Sequence, residues 1–236
     1  MLRRMLEQAD SVLFPLGISC LLCGEPSYGE TVCEACRDAL ETARLQEPLC
    51  PRCGMELGEE GCAFCRERTL PVNGIRSAWR YQDAPMRLVT ALKFRGIAAA
   101  AEIMAGEMAE AAASLALPPD TLVTWVTMPQ KRKRERGIDH GFLLATSLGK
   151  ALGLPVRQLL LRERRKREHS QRGLNAEERS RNLKGVFRGT GCEGHGVLLA
   201  DDVFTTGNTI AECSQALLEA GCSGVWAITA TRVVRG

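Results

Sequence analysis

The chain has 236 residues, of which 45% are hydrophobic and 25% are charged, a composition typical of a folded globular protein. Its net charge of +3 is too small to predict nucleic-acid binding by itself, although the basic residues are unevenly distributed. The longest apolar stretch near the N-terminus, residues 11–22, is too short to span a membrane and contains Pro15 and Gly17. It also lacks the cleavage pattern of a secretion signal, so we expect a cytoplasmic protein without membrane insertion.

Eight of the eleven cysteines lie in residues 1–70, where they form four CxxC pairs. In a reducing compartment this spacing is typical of metal ligands rather than of disulfides. Two CxxC turns together supply the four thiolates of a closed structural zinc site, which has no open position for a substrate. We therefore predict a zinc-binding domain over residues 1–70 that holds two structural Zn²⁺ ions. The predicted ligands are Cys20, Cys23, Cys33 and Cys36, followed by Cys50, Cys53, Cys62 and Cys65.

The spacing of these cysteines leaves two pairings open. The two sets could be sequential, with one zinc ion each. They could also be interleaved, so that the first and third CxxC pairs share a metal ion.

Residues 71–236 form the second predicted domain, in which strand and helix patterns alternate. This alternation predicts a parallel sheet covered by helices on both faces. In such a sheet ligands bind at the carboxyl ends of the strands. The predicted strands are 75–81, 122–127, 196–200 and 225–232, the predicted helices are 84–94, 98–115, 139–152, 175–183 and 209–220, and a short apolar run covers 156–161.

Two clusters of basic residues are predicted to lie in loops. The first follows the strand at 122–127, and the second lies after the apolar run at 156–161. A solvated basic surface, with nearby glutamates as counter-charges, is the alternative for each single side chain. The clusters are Lys131, Arg132, Lys133, Arg134 and Arg136, and then Arg162, Arg164, Arg165, Lys166, Arg167 and Arg172. The three histidines, His140, His169 and His195, have no partner visible in the sequence, and we assign them no catalytic role.

Residues 197–209 read VLLADDVFTTGNT, a buried strand followed by two acids and a Thr/Gly-rich loop before a helix. Adjacent carboxylates at a strand end point to opposite sides, so at least one of Asp201 and Asp202 faces the crevice, where it can accept hydrogen bonds from vicinal ribose hydroxyls. Amides and hydroxyls at a helix N-terminus favour a phosphate monoester. The predicted phosphate ligands are Thr205, Thr206, Gly207, Asn208 and Thr209. A capped turn with solvated acids is the alternative, but the complete order of residues is more specific.

This segment resembles the signature of type I phosphoribosyltransferases, which bind phosphoribosyl pyrophosphate (PRPP). Together with the cysteine-rich region, it makes the chain similar to the ComF family (ComFC and GntX-like proteins), which occurs in bacteria and is tied to natural transformation and DNA uptake. Further segments typical of the family are LKFRG at 92–96, RERG at 134–137, QRGL at 171–174 and RNLKGVF at 181–187. The sequence departs from the family at Ile138-Asp139-His140, where Phe-Asn-Gln is usual, although Asp139 remains a suitable helix N-cap.

The resemblance implies a type I phosphoribosyltransferase-like α/β fold that binds PRPP or a related phosphate ligand together with Mg²⁺. Asp201 and Asp202 would face the ribose as the catalytic residues of an active enzyme, and residues 205–209 would hold the 5′-phosphate. Lys131, Arg132 and Arg136 are expected to bind pyrophosphate. The second basic cluster would correspond to the mobile lid of these enzymes.

Two functions follow from the resemblance and stay open. One is a PRPP-binding protein of DNA uptake whose output is contact with single-stranded DNA or with a competence helicase-like protein. The other is an active phosphoribosyltransferase that uses an unidentified nitrogen nucleophile. No segment identifies a base-recognition element, which favours the binding protein. Stacking aromatic residues for single-stranded DNA are scarce, since only Trp125 and Phe142 lie near the first basic cluster.

Overall fold

The structure is a computed structural model, and it describes residues 19–162 and 185–234. The predicted helix at 175–183, His169, and all members of the second basic cluster except Arg162 lie outside the described residues. In chain order the elements are α1 (Glu34–Thr42), α2 (Ala63–Glu67), β1 (Gly74–Arg80), α3 (Asp83–Thr90) with a π-helical turn (Ala91–Arg95), α4 (Ala98–Ala112), β2 (Leu122–Trp125), α5 (Gln130–Arg136), α6 (His140–Leu152), β3 (Leu160–Arg162), β4 (Phe187–Gly189), β5 (Gly196–Phe204), α7 (Asn208–Glu219) and β6 (Gly224–Arg232).

Four strands form a parallel sheet in the order β1-β6-β5-β2, and β3 pairs with β4 in a separate antiparallel ribbon. Side chains of β5 alternate between the two faces of the sheet. Leu198 packs with the helices of one hydrophobic cluster, which includes Met104 and Leu144, whereas Leu199 packs into a second cluster with Ile210. Apolar residues on both faces are what a parallel sheet covered by helices requires. The predicted fold class is therefore confirmed.

Two predictions of secondary structure were wrong. The first basic cluster was predicted as a loop but forms the helix α5, because Lys, Arg, Gln and Glu are good helix formers and the helix follows Pro129 directly. The strand predicted to end at residue 200 continues to Phe204, since its pairing with β6 extends from Asp201↔Thr229 to Phe204↔Arg232. The two acids therefore lie within β5 rather than in a loop.

The second half of the cysteine-rich region docks on the sheet. The amide of Ile75 in β1 donates to the carbonyl of Arg52 at 2.9 Å, and Arg76 Nη1 donates to the carbonyl of Pro51 at 3.1 Å. Arg80 forms an ion pair with Glu56. These contacts join the edge of the sheet to the turn that carries the third CxxC pair. The division into two domains at residue 70 stays a prediction.

Candidate ligand cavity and cysteine clusters

A cavity of about 510 Å³ lies at the carboxyl ends of β2 and β5, where ligands bind in parallel α/β sheets. It is lined by residues of both strand ends, of α5 and of the turn that begins α7. Eight of the ten residues predicted to bind the phosphate ligand line it, and Gly207 and Lys131 do not. The eight are Asp201, Asp202, Thr205, Thr206, Asn208, Thr209, Arg132 and Arg136, and Lys93, His140 and Arg162 join them.

The carboxylate of Asp202 is buried, and each of its two oxygens has one partner. Lys93 Nζ lies 2.7 Å from its Oδ1 atom, and His140 Nε2 lies 3.2 Å from its Oδ2 atom. Burial would raise the pKa of Asp202, but the hydrogen bond from His140 and the charge of Lys93 outweigh burial and hold the pKa below its ordinary value. Asp202 is therefore a fixed anion that ties β5 to two other elements.

The imidazole of His140 bridges Asp202 and α5. Arg136 Nη1 lies 3.2 Å from His140 Nδ1, and a guanidinium can only donate hydrogen bonds. His140 Nδ1 must then accept, which leaves the hydrogen on Nε2 and directs it to Asp202. His140 begins α6, where the Asp139 side chain accepts a hydrogen bond from the amide of Phe142 at 3.1 Å. The predicted N-cap is confirmed, and it fixes the position from which His140 enters the cavity.

The carboxylate of Asp201 has no comparable cation at hydrogen-bonding distance among the contacts of the described residues. Its Oδ1 accepts a hydrogen bond from the amide of Asp202 at 2.9 Å. Burial and the negative charge of Asp202 raise the pKa of Asp201 to about 7, against a partial opposing effect from Lys93. The cavity thus contains one compensated carboxylate and one whose negative charge is poorly stabilised.

The loop between β5 and α7 presents polar groups at the N-terminus of a twelve-residue helix. Thr205, Thr206, Asn208 and Thr209 line the cavity. Gly207 is the N-cap residue, with φ of +78°, and a Cβ atom there would lie 2.9 Å from Leu70 Cδ1 and 3.0 Å from Phe204 Cζ. The left-handed backbone conformation favours glycine, and any other residue would also have to displace the ends of the Leu70 and Phe204 side chains. Unpaired amides and the helix dipole at such a helix N-terminus favour an anion.

Of the three residues predicted to bind pyrophosphate, two face the cavity. Arg132 and Arg136 line it, whereas Lys131 does not. The side chain of Lys131 is 86% exposed, and its nitrogen lies 4.0 Å from Glu135 Oε1. The structure therefore brings two arginines of α5 into the same cavity as the loop between β5 and α7.

The eight cysteines of the CxxC pairs form two sequential groups. The sulfur atoms of Cys20, Cys23, Cys33 and Cys36 lie within 4.8 Å of one another, and those of Cys50, Cys53, Cys62 and Cys65 do likewise. Individual S···S distances are 3.6 Å for Cys23 and Cys33 and 3.4 Å for Cys53 and Cys62. A tetrahedral ion with Zn–S bonds of about 2.3 Å needs sulfur atoms about 3.8 Å apart. Both groups fit structural zinc, and the interleaved pairing is excluded.

Sequence comparison places the chain among known proteins. It is 33% identical over 227 residues to the DNA utilization protein YhgH of Salmonella typhi, an alignment that covers 90% of this chain and 96% of that protein. It is 25% identical over 201 residues to the competence protein ComFC of Bacillus subtilis, which covers 81% and 80% of the two chains. The chain belongs to the ComF family. The double zinc ribbon domain family matches residues 10–69, the region of the cysteine groups in this ComF-family chain.

Solved structures overlap with this ComF-family chain only in part. The glutamine PRPP amidotransferase of B. subtilis matches at 22% identity and a TM-score of 0.36, over 54% of this chain and 26% of that one. A hypoxanthine phosphoribosyltransferase of Trypanosoma cruzi matches at 16% identity and a TM-score of 0.33, over 57% and 64% of the two chains. Neither overlap carries an argument about ligand or reaction. The fold class follows from strand order and register.

Two residues of the cavity were missed in the sequence analysis. Lys93 appeared there only within the LKFRG segment, and His140 was taken for a residue without a partner. Lys93 lies in the π-helical turn of the ComF-family chain, a distortion that often marks functional sites but leaves no simple sequence pattern. The sequence did contain one signal for His140, because this residue directly follows an N-cap residue on the side of the sheet where the strands end.

None of the helices in residues 19–162 and 185–234 is long and apolar enough to cross a membrane.

The raised pKa of Asp201 predicts a pH-dependent gain in stability for the variant Asp201→Asn. The folded pKa of about 7 exceeds the ordinary value of 3.8, so the folded form binds the proton more tightly and wild-type stability falls as pH rises between these values. Without Mg²⁺ or ligand, we expect the variant to melt above the wild type by a margin that grows from about pH 4 to about pH 7 and is constant above it. Each kcal/mol by which the variant exceeds the wild type in free energy of unfolding corresponds to about 2–4 °C in Tm.

Calorimetric melting at several pH values measures this margin. Asp120→Asn is the matched control, because Asp120 pairs with His195 on the surface at 3.4 Å and its carboxylate is half exposed. An equal difference in Tm between the Asp201→Asn variant and the wild type at pH 5 and at pH 8 would contradict a raised pKa of Asp201.

Proposed function

We propose that this protein binds PRPP or a related phosphate ligand together with Mg²⁺, and that it acts in DNA uptake or natural transformation as a DNA- or partner-binding factor. The observation that carries the proposal is one cavity that combines the acid pair of β5, the phosphate loop at the start of α7 and the arginines of α5. The names of the relatives, DNA utilization protein and competence protein, support the role in handling DNA.

The proposed arrangement of the ligand follows from the chemistry of the cavity walls. The amides and hydroxyls of residues 205–209 receive the 5′-phosphate, and Asp201 accepts hydrogen bonds from the ribose hydroxyls. Arg132 and Arg136 face the pyrophosphate end. The acid pair suits a hard cation with oxygen ligands, and Mg²⁺ would supply charge neutralisation for the pyrophosphate oxygens. The raised pKa of Asp201 supports this fit, because a nearby cation relieves the repulsion between the two carboxylates.

Phosphoribosyl transfer is the second candidate function, favoured by the same acid pair. In that reaction a nitrogen nucleophile attacks the anomeric carbon, pyrophosphate leaves, and carboxylates beside the ribose stabilise the positive charge that develops on the sugar. Pyrophosphate release from PRPP with a panel of nucleobases and amines separates the two functions. Sustained release with any acceptor establishes the transferase, whereas PRPP binding without release establishes the binding factor.

A surface beside the cavity supports contact with single-stranded DNA. The helix α5 carries five basic residues, and its Arg136 guanidinium lies 5.1 Å from the ring centroid of Phe94, which is 70% exposed. The half-exposed ring of Phe142 packs against Trp125 with the ring centroids 5.1 Å apart. Basic side chains interleaved with exposed aromatic rings are the elements of a stacking surface for single strands. A competence helicase-like protein is the proposed protein partner.

Replacing Phe94 by alanine is expected to weaken binding of an oligothymidine about tenfold, because one stacked base is worth about 1–3 kcal/mol. Charge reversal of the exposed Arg134 should flatten the dependence of log affinity on log salt by about 0.7 for the phosphate contact removed. Fluorescence anisotropy across a salt series measures both effects. Tyr28→Ala is the matched control, since Tyr28 is an aromatic residue that is 93% exposed outside this surface. Equal losses in the Tyr28 and Phe94 variants, or a salt slope near zero, would contradict the proposed surface.

A further inference from the structure

The helix that ends the second cysteine group is followed directly by a residue that contacts the phosphate loop. Arg68 is the C-cap residue of α2, the helix that contains Cys65. Its Nη1 atom donates hydrogen bonds to the carbonyl of Thr206 at 3.0 Å and to Asn208 Oδ1 at 2.8 Å. Both acceptors belong to residues that line the ligand cavity. The cysteine-rich region therefore contacts the phosphate loop through a charged donor.

Apolar contacts accompany these hydrogen bonds. Leu70 packs against the back of Gly207, where a Cβ atom would lie 2.9 Å from Leu70 Cδ1. The rings of Phe64 and Phe204 meet edge to face with centroids 5.5 Å apart. The buried Arg232 guanidinium lies 4.3 Å from the centroid of the Phe204 ring and donates to the carbonyl of Cys53. Residues of the second cysteine group and those directly after it thus pack against Gly207 and against Phe204 at the end of β5.

The contacts of Arg68 determine which groups of the loop remain available to an anion. In a trans peptide the carbonyl and the following amide point in opposite directions, so the amide of Gly207 faces away from Arg68. Arg68 can only donate, so the atom of the Asn208 carboxamide that it contacts must be the oxygen. The NH₂ group of Asn208 then keeps two hydrogen-bond donors for a ligand. Arg68 therefore orients donors rather than contacting the ligand itself.

The helix α2 depends in turn on the cysteine group. A five-residue helix is too short to be stable alone. Its N-cap is Cys62, whose sulfur accepts a hydrogen bond from the amide of Cys65 at 3.4 Å. Metal binding that fixes both sulfurs would fix the N-cap and the middle of this helix, and with them the direction in which the chain continues to Arg68. The first cysteine group lies elsewhere, because Cys20 and Cys36 pack with Leu88 of α3.

We propose that the second cysteine group, when it holds zinc, positions the phosphate loop through Arg68, so that metal occupancy of this group controls the affinity of the cavity for phosphate ligands. The proposal rests on the proposed function, since it concerns the same cavity. Arg68 is a positioning residue, and the first cysteine group has no such role.

The first test compares Arg68→Ala with Arg66→Ala, a matched control on the same helix whose exposed side chain pairs with Glu60 at 2.9 Å. Titration calorimetry with Mg²⁺ and PRPP should show binding about tenfold weaker in the Arg68 variant and unchanged in the Arg66 variant. Hydrogen exchange of the amides of residues 204–209 should accelerate in the Arg68 variant only. Arg68→Lys should restore part of both properties. The inference would be overturned if Arg68→Ala had the same hydrogen-exchange rates at residues 204–209 and the same affinity for PRPP as the wild type.

The second test concerns the metal. Cys33→Ser and Cys62→Ser should each lose one zinc ion per chain, but only Cys62→Ser should accelerate exchange of residues 204–209. Equal acceleration in both variants would overturn the inference. If Cys62→Ser does not fold, Cys50→Ser, which removes a ligand of the same group outside α2, takes its place in this comparison. If wild-type protein does not bind PRPP, the proposed function fails, and the exchange measurements, which need no ligand, still confirm or overturn the role of Arg68.

Discussion

The double substitution Asp201→Ala with Asp202→Ala is expected to abolish the thermal stabilisation of the protein by Mg²⁺ and PRPP. A ligand that binds only the folded state raises its stability by about 2.7 kcal/mol when present at about 100 times its dissociation constant. For a chain of this length that corresponds to an increase of about 5–10 °C in Tm for the wild type. The variant lacks the proposed acceptors for the ribose hydroxyls and the proposed oxygen ligands for Mg²⁺, so its Tm should not change on adding the ligand.

Without ligand, the double variant is expected to remain folded. Loss of Asp202 leaves Lys93 without its ion pair and His140 without its acceptor, whereas loss of Asp201 removes a carboxylate that is unfavourable in the empty cavity. These effects oppose each other, so the variant should still fold and melt cooperatively. Asp120→Ala, which removes a surface carboxylate paired with His195, serves as control and should keep the full ligand-induced shift. A shift of wild-type size in the double variant would contradict the proposed site.

Removal of zinc is expected to produce the largest loss of stability. The wild type should contain two zinc ions per chain, one for each group of four sulfur atoms. Structural zinc sites in small peptides bind with about 10–16 kcal/mol near pH 7, and that energy is available only to the folded site. A strong zinc chelator should therefore unfold residues 19–69 and make them accessible to protease, and acidification should act in the same direction because zinc needs thiolates.

Metal analysis and limited proteolysis with and without the chelator measure this effect. The chelator saturated with zinc is the control, since it cannot remove the metal. A folded, protease-resistant region without zinc would contradict a structural role of the metal ions.

The sequence allowed the sheet and the acid pair to be predicted because local patterns determine them. The apolar run before Asp201 can only be a buried strand in an alternating chain, and the Thr/Gly-rich loop after it suits a helix N-terminus. Gly207 was recognised as part of that loop, although its contact with Leu70 was not. The repeated CxxC spacing predicted the eight ligands because each turn carries its own geometry, but it left their pairing open, and the structure supplies it.

The remaining site residues could not be predicted because their roles depend on contacts between distant elements. The pairing of Lys93 with Asp202 joins residues that are far apart in the sequence, and the same is true of Arg68 and Asn208. The exposure of Phe94 beside Arg136 depends on how the π-helical turn meets α5. The first basic cluster was predicted as a loop but is a helix. Because it is a helix, Lys131 lies on its exposed face, whereas Arg132 and Arg136 line the cavity.

The cavity at the carboxyl end of β5 is proposed to bind PRPP. Calorimetric titration of the zinc-loaded wild type with PRPP in the presence of Mg²⁺ tests this proposal most directly. We expect saturable binding of one PRPP per chain that is lost in the double variant Asp201→Ala with Asp202→Ala. No measurable binding by the folded, zinc-loaded wild type, or equal binding by the double variant, would contradict the proposal.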